Sequence, residues 1–172
     1  VVDEKTIKQK GYKAKRMKAD FHRKLAKTPT LGSPKGLVIL VNFKDESFQS
    51  ENTQSDMNDM MNSDNYTYNG ATGSCQAYFK AQSNGQYVPE FDVVGPFTLP
   101  NTSAYYAAND ASGNDQYVVD FVIDACRAAD QSGVDFSQYD NDNNGVVDFV
   151  YIIYAGYAES EGGGATTMWP HN

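Results

Sequence analysis

Two cysteines, two histidines and one tryptophan among 172 residues leave little material for several common chemistries. The sequence has no HExxH, no CxxC pair, no Gly-rich phosphate loop and no GxSxG elbow. Those absences argue, within these residues, against a helix-borne zinc site, a dithiol redox centre, a phosphate cradle and an α/β-hydrolase nucleophile. No apolar run approaches the length of a bilayer-spanning helix, so no membrane span is expected. Internal repeats and low-complexity segments are missing too. The chain opens "VVDEKTIKQK", without Met or a signal-peptide pattern, and reads as a mature or trimmed form.

What is present suits a folded domain. Apolar residues make up 40% and aromatics 13%, enough for a core in a chain of this length. Charge is unevenly spread. Ten of the 14 Lys and Arg lie between Lys5 and Lys27, opposed only by Asp3, Glu4 and Asp20, so the first 27 residues carry about +7 and the rest about −15. The basic stretch reads as a solvated helix; the overall charge of −8 disfavours a nucleic-acid partner and suits a bound cation. Cys75 and Cys126 fit either one disulfide closing a long loop or two buried thiols.

Periodicity divides the chain into residues 1–33 and 34–172. Ala14, Met17, Phe21 and Leu25 give an amphipathic helix over 4–28, with His22 on its polar side. Pro29, Gly32 and Pro34 then form a linker. "GLVILVNF", residues 36–43, is a β-branched apolar run that suits a strand buried on both faces. A helix is predicted over 53–62 with Met57, Met60 and Met61 inward, and a Ser-capped helix within 72–87, closed by Asn84-Gly85. "QYVPEFDVVG" alternates as a half-exposed strand, and Pro89 suggests a sheet edge. Residues 113–131 predict a helix capped by Asn114 or Asp115, with Val118, Val122, Ala125 and Ala129 as its stripe. A strand over 146–154 follows. Strands alternating with helices give an α/β class: a layered mixed sheet with flanking helices, preceded by a basic amphipathic helix.

"DNDNNGVVD" is the most chemically suggestive segment. Counted from Asp140, Asp142 falls at position three, Asn144 at five, Gly145 at six, Val146 at seven with its carbonyl, and Asp148 at nine. These are calcium-loop positions, with Gly at the sharp turn. Position twelve is Tyr151 instead of a bidentate Glu, and a strand follows instead of a helix, so this is no EF-hand sensor. The reading is a structural calcium loop at a helix-to-strand connection, with Asp135 as the nearest spare carboxylate. An Asx-rich turn held by its own hydrogen bonds is the plainer alternative. Three carboxylates within nine residues would repel one another without a cation.

"GSCQAYF" resembles the helix-opening segment of papain-like cysteine proteases, which would make Cys75 a nucleophile with His171 as base and Asn172 as orienting residue. Gln76 and Thr72 depart from that pattern, and the base would adjoin a chain end. A small buried helix residue is the reading preferred for Cys75.

Several segments together resemble a different family, the M6 (immune inhibitor A-like) zinc metallopeptidases. They are "GLVILVNFKDESFQ", "GSCQAYFKAQSNGQYVPEFDVVGPFTLPNTSAYY" and "VDFSQYDNDNNGVVDFVYIIYAGYAESEGGGATTMWPH", spanning roughly residues 36–171. The resemblance implies the amino-terminal, zincin-like subdomain of a secreted endopeptidase acting on protein or peptide substrates. It also implies that zinc is held by an HExxH downstream of Trp-Pro-His, where metal-activated water attacks the peptide bond. This chain carries no such motif, so on this reading it has no catalytic zinc and no activity alone. The resemblance further favours calcium, and offers Tyr151 to Gly156 as an edge strand able to pair with substrate backbone. The remaining alternative is a non-catalytic calcium-binding module derived from the same scaffold.

Overall fold

The computed structural model describes residues 29–171. The predicted basic helix, with His22, lies outside them, as does Asn172. Three strands form one sheet: β1 (Lys35–Asn42), β2 (Glu90–Thr98) and β3 (Val150–Tyr154), in the order β2-β1-β3. Both pairings are parallel, with Leu37 beside Asp92 on one side and Val150 on the other. Parallel neighbours need crossover connections, and the helices provide them. Between β1 and β2 run α1 (Gln54–Asn62) and α2 (Cys75–Gln82). Between β2 and β3 run the short α3 (Ser103–Tyr106) and α4 (Val118–Gln131).

β1 is central and covered on both faces, which explains its unbroken apolar run: Leu37 through Val41 are all fully buried. Leu37, Ile39 and Val41 face α4 and pack with Phe121, Ala125 and Ala129. Val38 and Leu40 face the other way, toward Met61 and Phe91. Met57, Met60, Cys75 and Phe79 complete that second layer, so the inward side predicted for α1 is where it was placed. Truncating a side chain such as Leu40 to Ala should cost about 2–5 kcal/mol.

Local chemistry fixes the helix ends. Thr53 caps α1 and forms a capping box with Asp56; Ser74 caps α2 by accepting from the Ala77 N–H at 3.2 Å. α2 ends in a left-handed turn at Asn84 and Gly85. β2 lies at the sheet edge and starts directly after Pro89, as its proline suggested. Its register slips opposite Leu40, where Gly95 takes φ +96°.

α4 departs from the predicted pattern. It starts at Val118, and its N-cap, Tyr117, makes no side-chain capping bond. Its buried residues are Phe121, Ala125 and Ala129, whereas Val122 is 42% exposed. The one aromatic on the helix outweighs the valines for the place against the sheet, because it removes more apolar surface from water. Asp115, read as a cap, is used elsewhere.

Candidate functional site

The Asp/Asn loop hangs between a 3-10 turn (Phe136–Tyr139) and β3. Its backbone reverses through Asn143 at φ +56° and Gly145 at φ +84°, the left-handed region that Asn and Gly tolerate. Asp140 is the hub of this turn: one carboxylate oxygen accepts from the Asn144 N–H at 2.9 Å, the other from the Gly145 N–H at 2.7 Å. Asp142 Oδ1 also accepts from Asn144, and Asn144 Oδ1 accepts from the Val146 N–H at 2.9 Å. Asp142 Oδ2 is buried with no partner. The loop therefore has the self-bonded character of an Asx turn, plus one carboxylate oxygen that turn bonds leave unsatisfied.

Asp148 is buried and accepts from the Asn141 N–H at 2.8 Å and the Asn141 amide at 2.9 Å. Asn141 also exchanges hydrogen bonds with the Lys35 backbone, accepting from its N–H at 2.8 Å and donating to its carbonyl at 3.0 Å. This residue, unmarked by the loop count, ties the loop to the first residue of β1. No local signal could reveal it, since its partner lies 106 positions away. Asp135 does not join the loop cluster; it caps the 3-10 turn, accepting from the Ser137 N–H and hydroxyl. Those bonds, the hydroxyl's first, hold its carboxyl below the usual range.

Cys75 and His171 are not brought together. Cys75 opens α2 on the Val38/Leu40 face, and burial pushes its thiol up, the reverse of an activated nucleophile. His171 lies toward the other face, where its Nε2 sits 2.7 Å from Asp115 Oδ2. The cysteine-hydrolase alternative therefore lacks its base. Cys126 packs on the Ile39 face, across the sheet from Cys75, and both thiols are free.

The Asp115 side chain is completely buried. Besides His171, its Oδ2 accepts from the Trp169 N–H at 2.9 Å, so one carboxylate anchors both ends of "WPH". β3 lies at the sheet edge opposite β2, with Tyr151 42% exposed. Beside it opens an apolar groove of about 680 Å³, lined by Met60, Cys75, Tyr78, Phe79, Tyr151 and Ile153 among others. Among the described residues, no three His, Cys, Asp or Glu side chains converge in a way that could hold a metal ion. Zinc, which calls for His, Cys and carboxylate ligands in a tetrahedral set, does not fit the residues described.

Residues 19–172 match the family model described as immune inhibitor A peptidase M6, catalytic domain. Immune inhibitor A of Bacillus thuringiensis subsp. alesti is 33% identical over 114 residues, covering 55% of this chain and 17% of that protein. The chain thus spans a small part of that relative's length.

Proposed function

The chain belongs to the M6 peptidase family of immune inhibitor A, and on that premise we propose that it forms the sheet-bearing part of a secreted zinc endopeptidase acting on protein substrates. The observation carrying this reading is the family match over residues 19–172, which takes in the whole described α/β unit. Within the complete enzyme, β1 and its two packed faces act as the rigid platform. The edge of β3 is available to pair with an extended substrate backbone, an arrangement that supplies affinity through main-chain bonds. Zinc, when bound by residues outside those described, supplies the activated water; the residues of this chain take no step in that chemistry, and the 172-residue chain alone is inactive.

The test is casein cleavage by the product of the full coding sequence. Activity should vanish with a zinc chelator and return with added zinc, and the 172-residue chain should be inert. Chelator-insensitive cleavage, or cleavage by the short chain itself, would overturn the proposal. A folded, inert full-length product would favour a non-catalytic module on the same scaffold.

We further propose that calcium binding draws together Asp140, Asp142, Asn144, the Val146 carbonyl and Asp148, whose carboxylates do not converge in the arrangement described above. The donor set is all oxygen, as calcium prefers. The buried, unpartnered Asp142 Oδ2 supports it, because an orphaned carboxylate oxygen costs stability unless a cation or water meets it.

A further inference from the structure

Asparagine followed by glycine is prone to modify itself, because a residue without Cβ leaves its amide nitrogen open to the preceding side chain. Three such pairs occur in the sequence: Asn69-Gly70, Asn84-Gly85 and Asn144-Gly145. As dipeptides they are equivalent. The fold treats them differently.

In this reaction the Gly amide nitrogen attacks the carbonyl carbon of the Asn side chain. The nitrogen must first give up its proton, so an N–H held by a good acceptor is protected, as it is from hydrogen exchange. The Gly145 N–H donates to Asp140 Oδ2 at 2.7 Å, and that carboxylate also opposes the negative charge that deprotonation creates. Asn144 is itself pinned, its N–H bonded to Asp140 and its Oδ1 accepting from the Val146 N–H. The Gly85 N–H donates to the Lys80 carbonyl at 2.7 Å, in the turn that ends α2. Close by, the Ser83 hydroxyl accepts from the Tyr87 N–H at 2.9 Å, and Tyr87 is bridged to Gly32, so that turn is fastened on both sides.

Asn69-Gly70 has neither device. It lies in a single 3-10 turn (Tyr68–Gly70) between α1 and α2, and Thr67 gives that turn no side-chain cap. The Gly70 N–H reaches the Thr67 carbonyl only at 3.3 Å, longer than an ordinary amide bond. The turn buries none of its residues, and Asn69 and Gly70 are both exposed. Opening it costs little.

We propose that Asn69 is the site at which the native chain deamidates. The Gly70 nitrogen bonds to Asn69 Cγ, and the side-chain nitrogen leaves as ammonia, taking up the proton that the Gly70 nitrogen gave up. Water then opens the five-membered succinimide at one carbonyl or the other, leaving aspartate or isoaspartate at position 69. Either product turns a neutral amide into a carboxylate on a pocket of about 350 Å³ already lined by Glu51, Asp56 and Asp59. That pocket shares Met60 and Tyr66 with the apolar groove beside β3, so the change makes the rim of the groove more acidic.

The test incubates the full chain at mildly alkaline pH, with and without denaturant. Peptide mapping then follows the amide-to-acid mass change and the isoaspartate at each pair. Unfolded, the three pairs should convert at similar rates. In the native chain Asn69 should convert about tenfold faster than Asn84 and Asn144, the factor by which their closed hydrogen bonds withhold the nitrogen. Asn69→Gln lengthens the side chain and removes the five-membered ring. It should keep the native circular dichroism, abolish conversion at that turn and leave the other two pairs slow. Equal rates at the three pairs in the native chain, or faster conversion at Asn84 or Asn144, overturns the proposal. So does an Asn69 that converts only in denaturant.

Discussion

Tyr139 illustrates how a single residue links the core to the loop. Its ring is buried in the α4-side core, its carbonyl accepts from the Asp148 N–H, and its hydroxyl donates to Asp92 Oδ2 at 3.2 Å. Burial first, and the Asp92 charge second, push the phenol up to about 12. Unfolded, it titrates near 10. The folded state therefore holds this proton more tightly, and the contribution is complete below about pH 10 and lost as pH rises through about 12. Two units amount to roughly 3 kcal/mol. Tyr139→Phe should cost about 1 kcal/mol at neutral pH for the lost hydrogen bond and become the more stable form above about pH 11. Denaturant melts of both proteins across that range measure it; a difference independent of pH would refute the argument. Gly95 gives a second test at this scale. A methyl group there would lie 2.5 Å from the Leu40 carbonyl oxygen on a backbone at φ +96°. Gly95→Ala should lower stability by at least about 1–3 kcal/mol, read as a lower melting temperature.

Among the elements, the loop was legible and the Asp115 cluster was not, for a physical reason. A polar turn draws its oxygens from near neighbours, so spacing alone marks Asp140, Asp142 and Asn144, which the chain joins by hydrogen bonds within the loop. Asp115 draws its surroundings from Asn109, Trp169 and His171, and residues 54 and 56 positions away leave no local pattern. Its position before α4 made it look like a cap, a role the helix leaves unfilled. Asp135 looked like a spare ligand because sequence proximity cannot say that Ser137 already occupies it. If the loop binds calcium only when folded, free calcium at a hundred times Kd should add about 2.7 kcal/mol. Asp142→Ala should remove that increment. Melting temperature against calcium concentration checks this; a melt unaffected by both chelator and Asp142→Ala would make the loop only a turn.

For the molecule as a whole, the alternation of β1 decides more than any motif. Its apolar run announced a strand buried on both faces, and the chain places α1 and α2 on one face and α4 on the other. What composition cannot say is which layer each cysteine joins; the sheet lies between them, and both thiols are free. Cys75 packs with Phe79 and Met60, Cys126 with Phe121's layer, and burial raises both thiols. A bridge closing a loop of roughly fifty residues would stabilise by about 4 kcal/mol in the chain-entropy account. Its loss in reductant would lower the melting temperature clearly. The separation of the two faces predicts instead that reductant leaves the melt unchanged. It also predicts that two thiols per chain react with an alkylating reagent in denaturant without prior reduction, and that both react slowly in the native state, where the reactive thiolate is disfavoured. A native chain yielding no free thiol after unfolding would mean the two faces are joined, and the layer assignment of α2 or α4 would have to be abandoned.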